Sequence, residues 1–149
     1  MEYKAREFNK ETYNNYDSFA KEKIINFLVK RGHSIINKKE DYNHDLITFK
    51  NGVYFYFELE VKIGYPFTCR NDYKFDTVSF LGRKKRLHNI KPFYYLIICK
   101  ETSYALYCFS NDIFIDKYLQ KLNVDTNLRK GNDEMYRIPI DKCKFFNIE

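Results

Sequence analysis

The dipeptide Asn51-Gly52, set between the apolar-rich runs Leu46–Lys50 and Val53–Phe57, constrains this chain more than any other feature. A two-residue hairpin loop of type I′ needs positive φ at both central positions, and Asn-Gly meets that need best. The turn fixes the register as well as the reversal. With Asn51-Gly52 as the loop, Lys50 pairs with Val53, and the numbers of every opposed pair sum to 103. Asp45 then lies opposite Glu58, with Glu60 diagonally beyond. Side chains alternate along a strand, so Glu58, Glu60 and Lys62 share a face, and Asp45 uses the same one. Like charges directly opposed across a ladder destabilise it. A divalent cation would reverse that sign, which makes three carboxylates and an ammonium on one side of a hairpin a candidate site.

The rest of the composition sets the frame for that hairpin. At 149 residues the chain has the size of one domain with a real core. It carries 14 Tyr and 14 Phe and no Trp, a supply that suits both strands and base stacking. The formal net charge of +6 favours a polyanionic partner, because Lys and Arg near phosphates release counterions. Cys69, Cys99, Cys108 and Cys143 are widely spaced, without a Cys-x-x-Cys pair or a His at zinc-finger spacing, so a structural role is the expectation. The first twenty residues hold no apolar signal region, and no run has the length of a membrane span. The expectation is a soluble cytoplasmic protein that does not engage a membrane; if the chain is viral, the compartment is the host cytoplasm.

Residues 1–16 are polar, Asn- and Tyr-rich, and read as an N-terminal extension, either helical or a loose arm; residues 17–149 form the domain. From Asp17 to Arg31 the pattern is helical: Ala20, Ile24, Phe27 and Leu28 make a stripe that Ile25 and Val29 widen, with Asp17 or Ser18 as cap. Gly32 after Lys30 and Arg31 is the stop. Glu22 falls at the edge of the stripe beside Val29, where it either reaches around the rim of a sheet or is an ordinary solvated acid. A short strand, His33–Asn37, and a polar loop precede the hairpin. Residues 64–76 read as an irregular loop, Phe75–Leu81 as a strand closed by Gly82, and Phe93–Cys99 and Tyr104–Phe109 as further strands. Ile113–Leu122 reads as a helix, 123–134 as a loop, and Tyr136–Ile140 with Cys143–Phe146 as a terminal strand pair. The whole is an α/β domain around a mixed sheet.

A helix bearing Glu22, Asp45 at the start of a strand, and Glu60-Val61-Lys62 on the paired strand together resemble the core of the PD-(D/E)xK nuclease superfamily, which includes restriction enzymes, Holliday junction resolvases and small phage nucleases. The match covers roughly residues 17–62, with Phe93–Phe109 fitting later core strands and residues 82–91 left to supply a second helix. His44-Asp45 stands where many members have Pro-Asp. The resemblance implies a single-domain, restriction-endonuclease-like αβββαβ core, its mixed central sheet flanked by helices. It implies a metal-dependent DNA endonuclease, with Asp45, Glu60 and the Val61 carbonyl as hard oxygen ligands for Mg²⁺ or Mn²⁺. Glu58 is then either a further ligand or a neighbour. Lys62 orients the attacking water or stabilises the transition state, and its neighbouring acids favour the ammonium form. Glu22 completes a second-metal or outer contact. Cleavage would leave a 5′-phosphate and a 3′-hydroxyl.

For the substrate, Arg83-Lys84-Lys85-Arg86 is a four-residue cationic run that either follows a phosphate backbone or is a solvated turn, and Arg70 with Lys74 would extend the patch. Tyr54 and Tyr56 share the acidic face and read as core filling. Of the histidines, His44 alone adjoins a candidate acid, and a surface position is the expectation for it. No separate recognition domain fits, so structure-selective or weakly specific cutting of branched or duplex DNA is expected, and such small cores often pair as homodimers. The alternative is a catalytically silent nucleic-acid-binding or virion-associated structural module of the same fold. Lys-, Asn-, Tyr- and Ile-rich usage points toward an AT-rich genome, that of a phage or of a parasite.

Overall fold

The computed structural model describes residues 10–36, 44–125 and 130–149, with side chains described over 18–36, 44–121 and 134–149. The first helix, α1 (Lys10–Lys30), begins seven residues before Asp17, so Asp17 and Ser18 lie inside it rather than at its cap, and much of the expected extension is helix. Ala20, Ile24 and Leu28, spaced by four, are its buried stripe. Its end is a Schellman closure: Gly32 sits at φ +89°, the His33 N–H donates to the Leu28 carbonyl at 3.0 Å, and the Gly32 N–H donates to Val29 at 3.0 Å.

A short β1 (Ser34–Ile35) leads, across residues outside the described set, to the hairpin of β2 (Leu46–Lys50) and β3 (Val53–Lys62). Asn51 and Gly52 take φ of +52° and +79°, and the register is Lys50↔Val53 through Leu46↔Phe57, as the turn chemistry requires. The chain continues through an irregular stretch into β4 (Thr77–Leu81), a 3₁₀ turn (Gly82–Lys84) and α2 (Lys85–Ile90). It returns as β5 (Tyr94–Cys99), parallel to β3, a geometry that needs a crossover of this length. β6 (Tyr104–Phe109) follows, then the single turn α3 (Ser110–Ile113), β7 (Leu119–Asp125), β8 (Lys130–Pro139) and β9 (Lys144–Asn147).

The strands form two sheets. A six-stranded mixed sheet runs β1-β2-β3-β5-β6-β9, and a three-stranded antiparallel sheet runs β4-β8-β7. The larger sheet is covered differently on its two faces. Leu46, Phe57, Leu59, Leu96 and Ile98 pack under α1. On the opposite face Tyr95, Ile97 and Leu106 meet Phe80, Tyr136 and Ile138 of the smaller sheet, with Phe80 and Tyr95 edge-to-face at 4.6 Å. The fold is α/β with a mixed sheet, but its second face carries a sheet and the short α2 where a full helical layer was expected.

The structure departs from the sequence pattern in three of its elements. Ile113–Leu122 is not a helix: one turn ends at Ile113, a 3₁₀ turn covers Asp116–Tyr118, and Leu119 already belongs to β7. Residues 123–134 are not simply a loop, since β7 and β8 extend into them and pair from Leu119↔Tyr136 to Asp125↔Lys130. Long-range pairing with β8 overrides the local helical pattern. β8 and β9 do not pair with each other: β8 joins β4 and β7, while β9 joins β6.

Gly82 is where the smaller sheet and the crossover touch. A Cβ there would lie 2.5 Å from the Glu134 carbonyl oxygen and 2.8 Å from its carbonyl carbon. Gly82→Ala is therefore expected to force β4 and β8 apart and to cost about 1–3 kcal/mol in urea unfolding. An unchanged midpoint would show that the backbone yields there freely.

Candidate active site

The site grows from the place where the hairpin opens. β2 starts at Leu46 while β3 runs on to Lys62, so beyond Phe57 the β2 side of β3 has no ladder partner among the described residues. Side chains take over from the ladder. The Asp45 N–H donates to the Glu58 carboxylate at 2.7 Å, and the Leu59 N–H donates to the Asp45 carboxylate at 3.0 Å. The two acids thus exchange bonds with each other's strand and end the hairpin.

Lys84 completes the cluster. Its ammonium lies 2.6 Å from Glu58 Oε1 and 3.9 Å from Asp45 Oδ2. The Glu58 side chain is only 1% exposed, against 17% for Asp45 and 20% for Lys84. Burial pushes the Glu58 carboxyl above its ordinary range and the Asp45 charge adds to the rise, with Lys84 opposing both. For Lys84, burial works against the charge, but Glu58 and Asp45 outweigh it and hold the ammonium above the usual lysine range. Lys84, read from the sequence as following a phosphate backbone or as part of a solvated turn, is the counter-ion of the hairpin acids. Its 3₁₀ turn, placed by the Gly82 contact, aims it inward.

Glu60 projects on the Glu58 face, two residues along. Tyr95, in register with Glu58 on the parallel neighbour, donates its hydroxyl to Glu60 Oε2 at 2.9 Å. Burial raises the Glu60 carboxyl, and the Tyr95 bond with the charges of Lys62, Lys84 and Arg83 pulls back. Tyr95 is itself fully buried, and burial followed by the Glu60 charge lifts its phenol well above the ordinary value. Tyr95 was missed from sequence. The signal is a hydroxyl inside the run Phe93–Cys99, which reads as covered on both faces and so demands a partner. Tyr95→Phe leaves a half-buried carboxylate short of its donor and is expected to cost about 1.5–3 kcal/mol at neutral pH in urea unfolding.

Val61 contributes its backbone. The Lys62 carbonyl accepts from Lys100 N–H at 3.2 Å, so it points toward β5. Successive carbonyls alternate, so the Val61 carbonyl points to the open side that Asp45 borders. Lys62, half-buried at the end of β3, lines a cleft of about 580 Å³ formed with the irregular stretch 64–75.

The remaining candidates are distributed elsewhere. Glu22 is exposed on α1, which packs on the sheet face opposite to Glu58 and Glu60, so the fold does not bring it to the other acids. At ~100° per residue it lies on the same side as exposed Val29, outside the Ala20-Ile24-Leu28 stripe. Arg83 and Arg86 are exposed and Lys85 is half-buried. Arg70 is engaged by Asp141 at 3.3 Å and Asp76 at 3.6 Å. Tyr54 is 56% exposed and does not fill the core, while Tyr56 packs against the core of the second face. His44 is buried, not on the surface: it packs against Tyr56 and Phe93, and its Nε2 pairs with the Lys91 carbonyl at 3.1 Å. Burial lowers its pKa below the ordinary histidine value.

Among the described residues no three His, Cys, Asp or Glu side chains converge on a cation-sized point. Glu58 does not fit as a ligand, since Asp45 N–H and Lys84 take its two oxygens. Asp45, Glu60 and the Val61 carbonyl do fit in kind. They are hard oxygen donors on the open side and acidic face of one strand end, a set that Mg²⁺ supplements with water and phosphate. Fully ionised, Asp45, Glu58 and Glu60 against Lys84 leave two negative charges. The chain matches no protein-family profile, no curated protein and no solved structure.

Proposed function

We propose that the protein is a metal-dependent deoxyribonuclease of PD-(D/E)xK type that hydrolyses phosphodiester bonds, with a structure-selective or resolvase-like preference. Supporting this reading is the order of elements: a helix, three strands of which the last two form the hairpin, a crossover holding β4 and a short helix, and a strand parallel to β3. The observation that carries it is the hairpin end, where Asp45, next before the shorter strand, is bonded to the longer one, and Glu60 and Lys62 follow Glu58 on the same face of that strand, at an edge left open among the described residues.

Asp45, Glu60 and the Val61 carbonyl would hold Mg²⁺ or Mn²⁺, which when bound polarises the phosphate and lowers the pKa of a coordinated water. Lys62 sets a positive charge at the mouth of the cleft, where it steadies charge building on the phosphate oxygens. Tyr95 fixes the Glu60 carboxylate. Lys84 offsets the repulsion between Asp45 and Glu58, and exposed Arg83 and Arg86 extend the positive surface toward a phosphate backbone. The partner is DNA, branched or duplex, and a homodimer would allow one protomer to cut each strand. Incubation with plasmid, flapped, branched and single-stranded DNA tests the reading. Nicking in Mg²⁺ or Mn²⁺ that EDTA abolishes is the expected result; an inert protein on every substrate with both metals ends the claim.

A second reading draws on one specific observation. The Lys84–Glu58 contact at 2.6 Å partly neutralises the acids without any metal. A catalytically silent nucleic-acid-binding module of the same fold would keep that pair. It would show DNA binding that weakens steeply with salt and no cleavage.

A further inference from the structure

The proposed chemistry uses only the mouth of the cleft that Lys62 lines, and leaves its aromatic wall without a role. Its walls come from the stretch between β3 and β4, and two of its aromatic rings face outward: Tyr65 is 51% and Phe75 43% exposed. The rings stand edge-to-face at 5.6 Å, and the Lys74 ammonium lies 5.7 Å from the Tyr65 centroid and 6.0 Å from that of Phe75. Two large rings left in water under a cation are chemistry for a flat, anionic ligand. The volume, about 580 Å³, falls within the roughly 300–1,000 Å³ of ordinary small-ligand sites.

The stretch is built to hold those rings in place. The Asp72 carboxylate accepts from Thr68 N–H at 2.8 Å and Cys69 N–H at 2.9 Å, contacts that pull its pKa down to about 2 and turn its charge onto the backbone. Thr102 Oγ1 donates to the Phe67 carbonyl at 2.6 Å, and the Gly64 N–H donates to Glu101 at 2.8 Å. Beneath, Phe67 and Tyr73 are buried against each other and against Phe145. Exposed rings on a preformed platform lose little entropy when a ligand stacks on them.

We propose that this cleft takes an unpaired nucleotide of a single-stranded nucleic-acid segment, its base stacked on one of the two rings, Tyr65 or Phe75, and met edge-on by the other, and its phosphate held by Lys74 and Lys62. The inference rests on the phosphodiester reading of Asp45, Glu60 and Lys62 and names the substrate class for it. A base within a duplex has both faces covered by its neighbours, whereas an unpaired one offers a free face to an aromatic ring. Lys62 belongs both to the cleft and to the acid-bearing strand, so a strand anchored here passes its backbone beside Glu60.

Binding is to be measured by fluorescence anisotropy in EDTA, where cleavage does not enter. The probes are labelled oligothymidylate, oligouridylate, an abasic oligomer of equal length and a duplex. The wild-type protein is expected to bind a single-stranded probe with bases about 10-fold or more tightly than the abasic one. The tighter of the deoxy and ribo probes identifies the source. Tyr65→Ala with Phe75→Ala should erase that preference and leave abasic and duplex binding unchanged, while Lys74→Ala weakens all probes. Tyr65→Phe, which keeps the ring, should retain the preference and guards against a folding artefact. Equal affinity for the base-bearing and abasic probes, or a double variant that keeps the preference, overturns the inference. A protein that cleaves DNA without base-dependent binding fails here only. One that binds bases but never cleaves fails in the nuclease reading only.

Discussion

Replacing Lys84 with Met is expected to cost about 3–5 kcal/mol of stability near pH 8, the usual consequence of stripping a buried charge of its partner. The substitution keeps the length of the side chain and removes only the ammonium. Left behind are Glu58, whose side chain is 1% exposed, and Asp45, whose charge already raises the Glu58 carboxyl. The effect depends on pH with a definite sign. A carboxyl with a folded pKa above its unfolded value binds its proton more readily in the native state. Its contribution is fully favourable below the unfolded value, near 4.5, and is lost as pH rises through the raised folded one. Without Lys84 the rise is larger, so the variant should lose least in mild acid and most above neutrality. Adding Glu58→Gln should recover much of the loss, since it removes the stranded charge. If the open edge also takes a cation, millimolar Mg²⁺ will stabilise the variant more than the parent. Urea unfolding at pH 5 and pH 8 decides the matter. A loss below about 1 kcal/mol at pH 8 would mean that water reaches Glu58 freely.

The same contact shows what the sequence made legible and what it hid. The Asn51-Gly52 turn dictated a register that places Asp45 opposite Glu58, because turn chemistry acts through neighbouring residues alone. Gly32 closed α1 for a similarly local reason. β5 and β6 fell close to their expected bounds because their apolar runs are long. Lys84 was visible only as one of four consecutive cations. Which of them turns inward depends on Gly82 meeting the backbone of Glu134, a residue 52 positions away, and nothing local announces that contact. The hairpin of β7 and β8 was hidden for the same reason: Ile113–Leu122 carries a helical pattern that pairing partners from 130 onward override. Glu22 failed differently. The stripe had been widened to Val29, which the fold leaves 52% exposed, so Glu22 beside it lies off the buried Ala20-Ile24-Leu28 stripe, and no pattern within a helix says which face of a sheet the helix will cover.

The fold separates acids that the sequence had grouped, putting Glu22 on one side of the larger sheet and Glu58 and Glu60 on the other. Asp45→Ala, Glu60→Ala and Lys62→Ala are each expected to lower the rate of metal-dependent DNA cleavage by about 100- to 1,000-fold, the scale on which a single preorganised electrostatic contact acts. Glu22→Ala, on the helix across the sheet, should cut at the parental rate. The losses should also differ in kind. Raising the Mg²⁺ or Mn²⁺ concentration should partly restore the two acid variants, since a lost ligand weakens affinity for the ion. It should do nothing for Lys62→Ala, whose ammonium acts on the phosphate directly. Single-turnover cleavage of a labelled substrate across a metal titration separates the two behaviours. Equal activity in Asp45→Ala and the parent, or a Glu22→Ala variant as impaired as Glu60→Ala, would show that the catalytic groups have been assigned to the wrong face of the sheet.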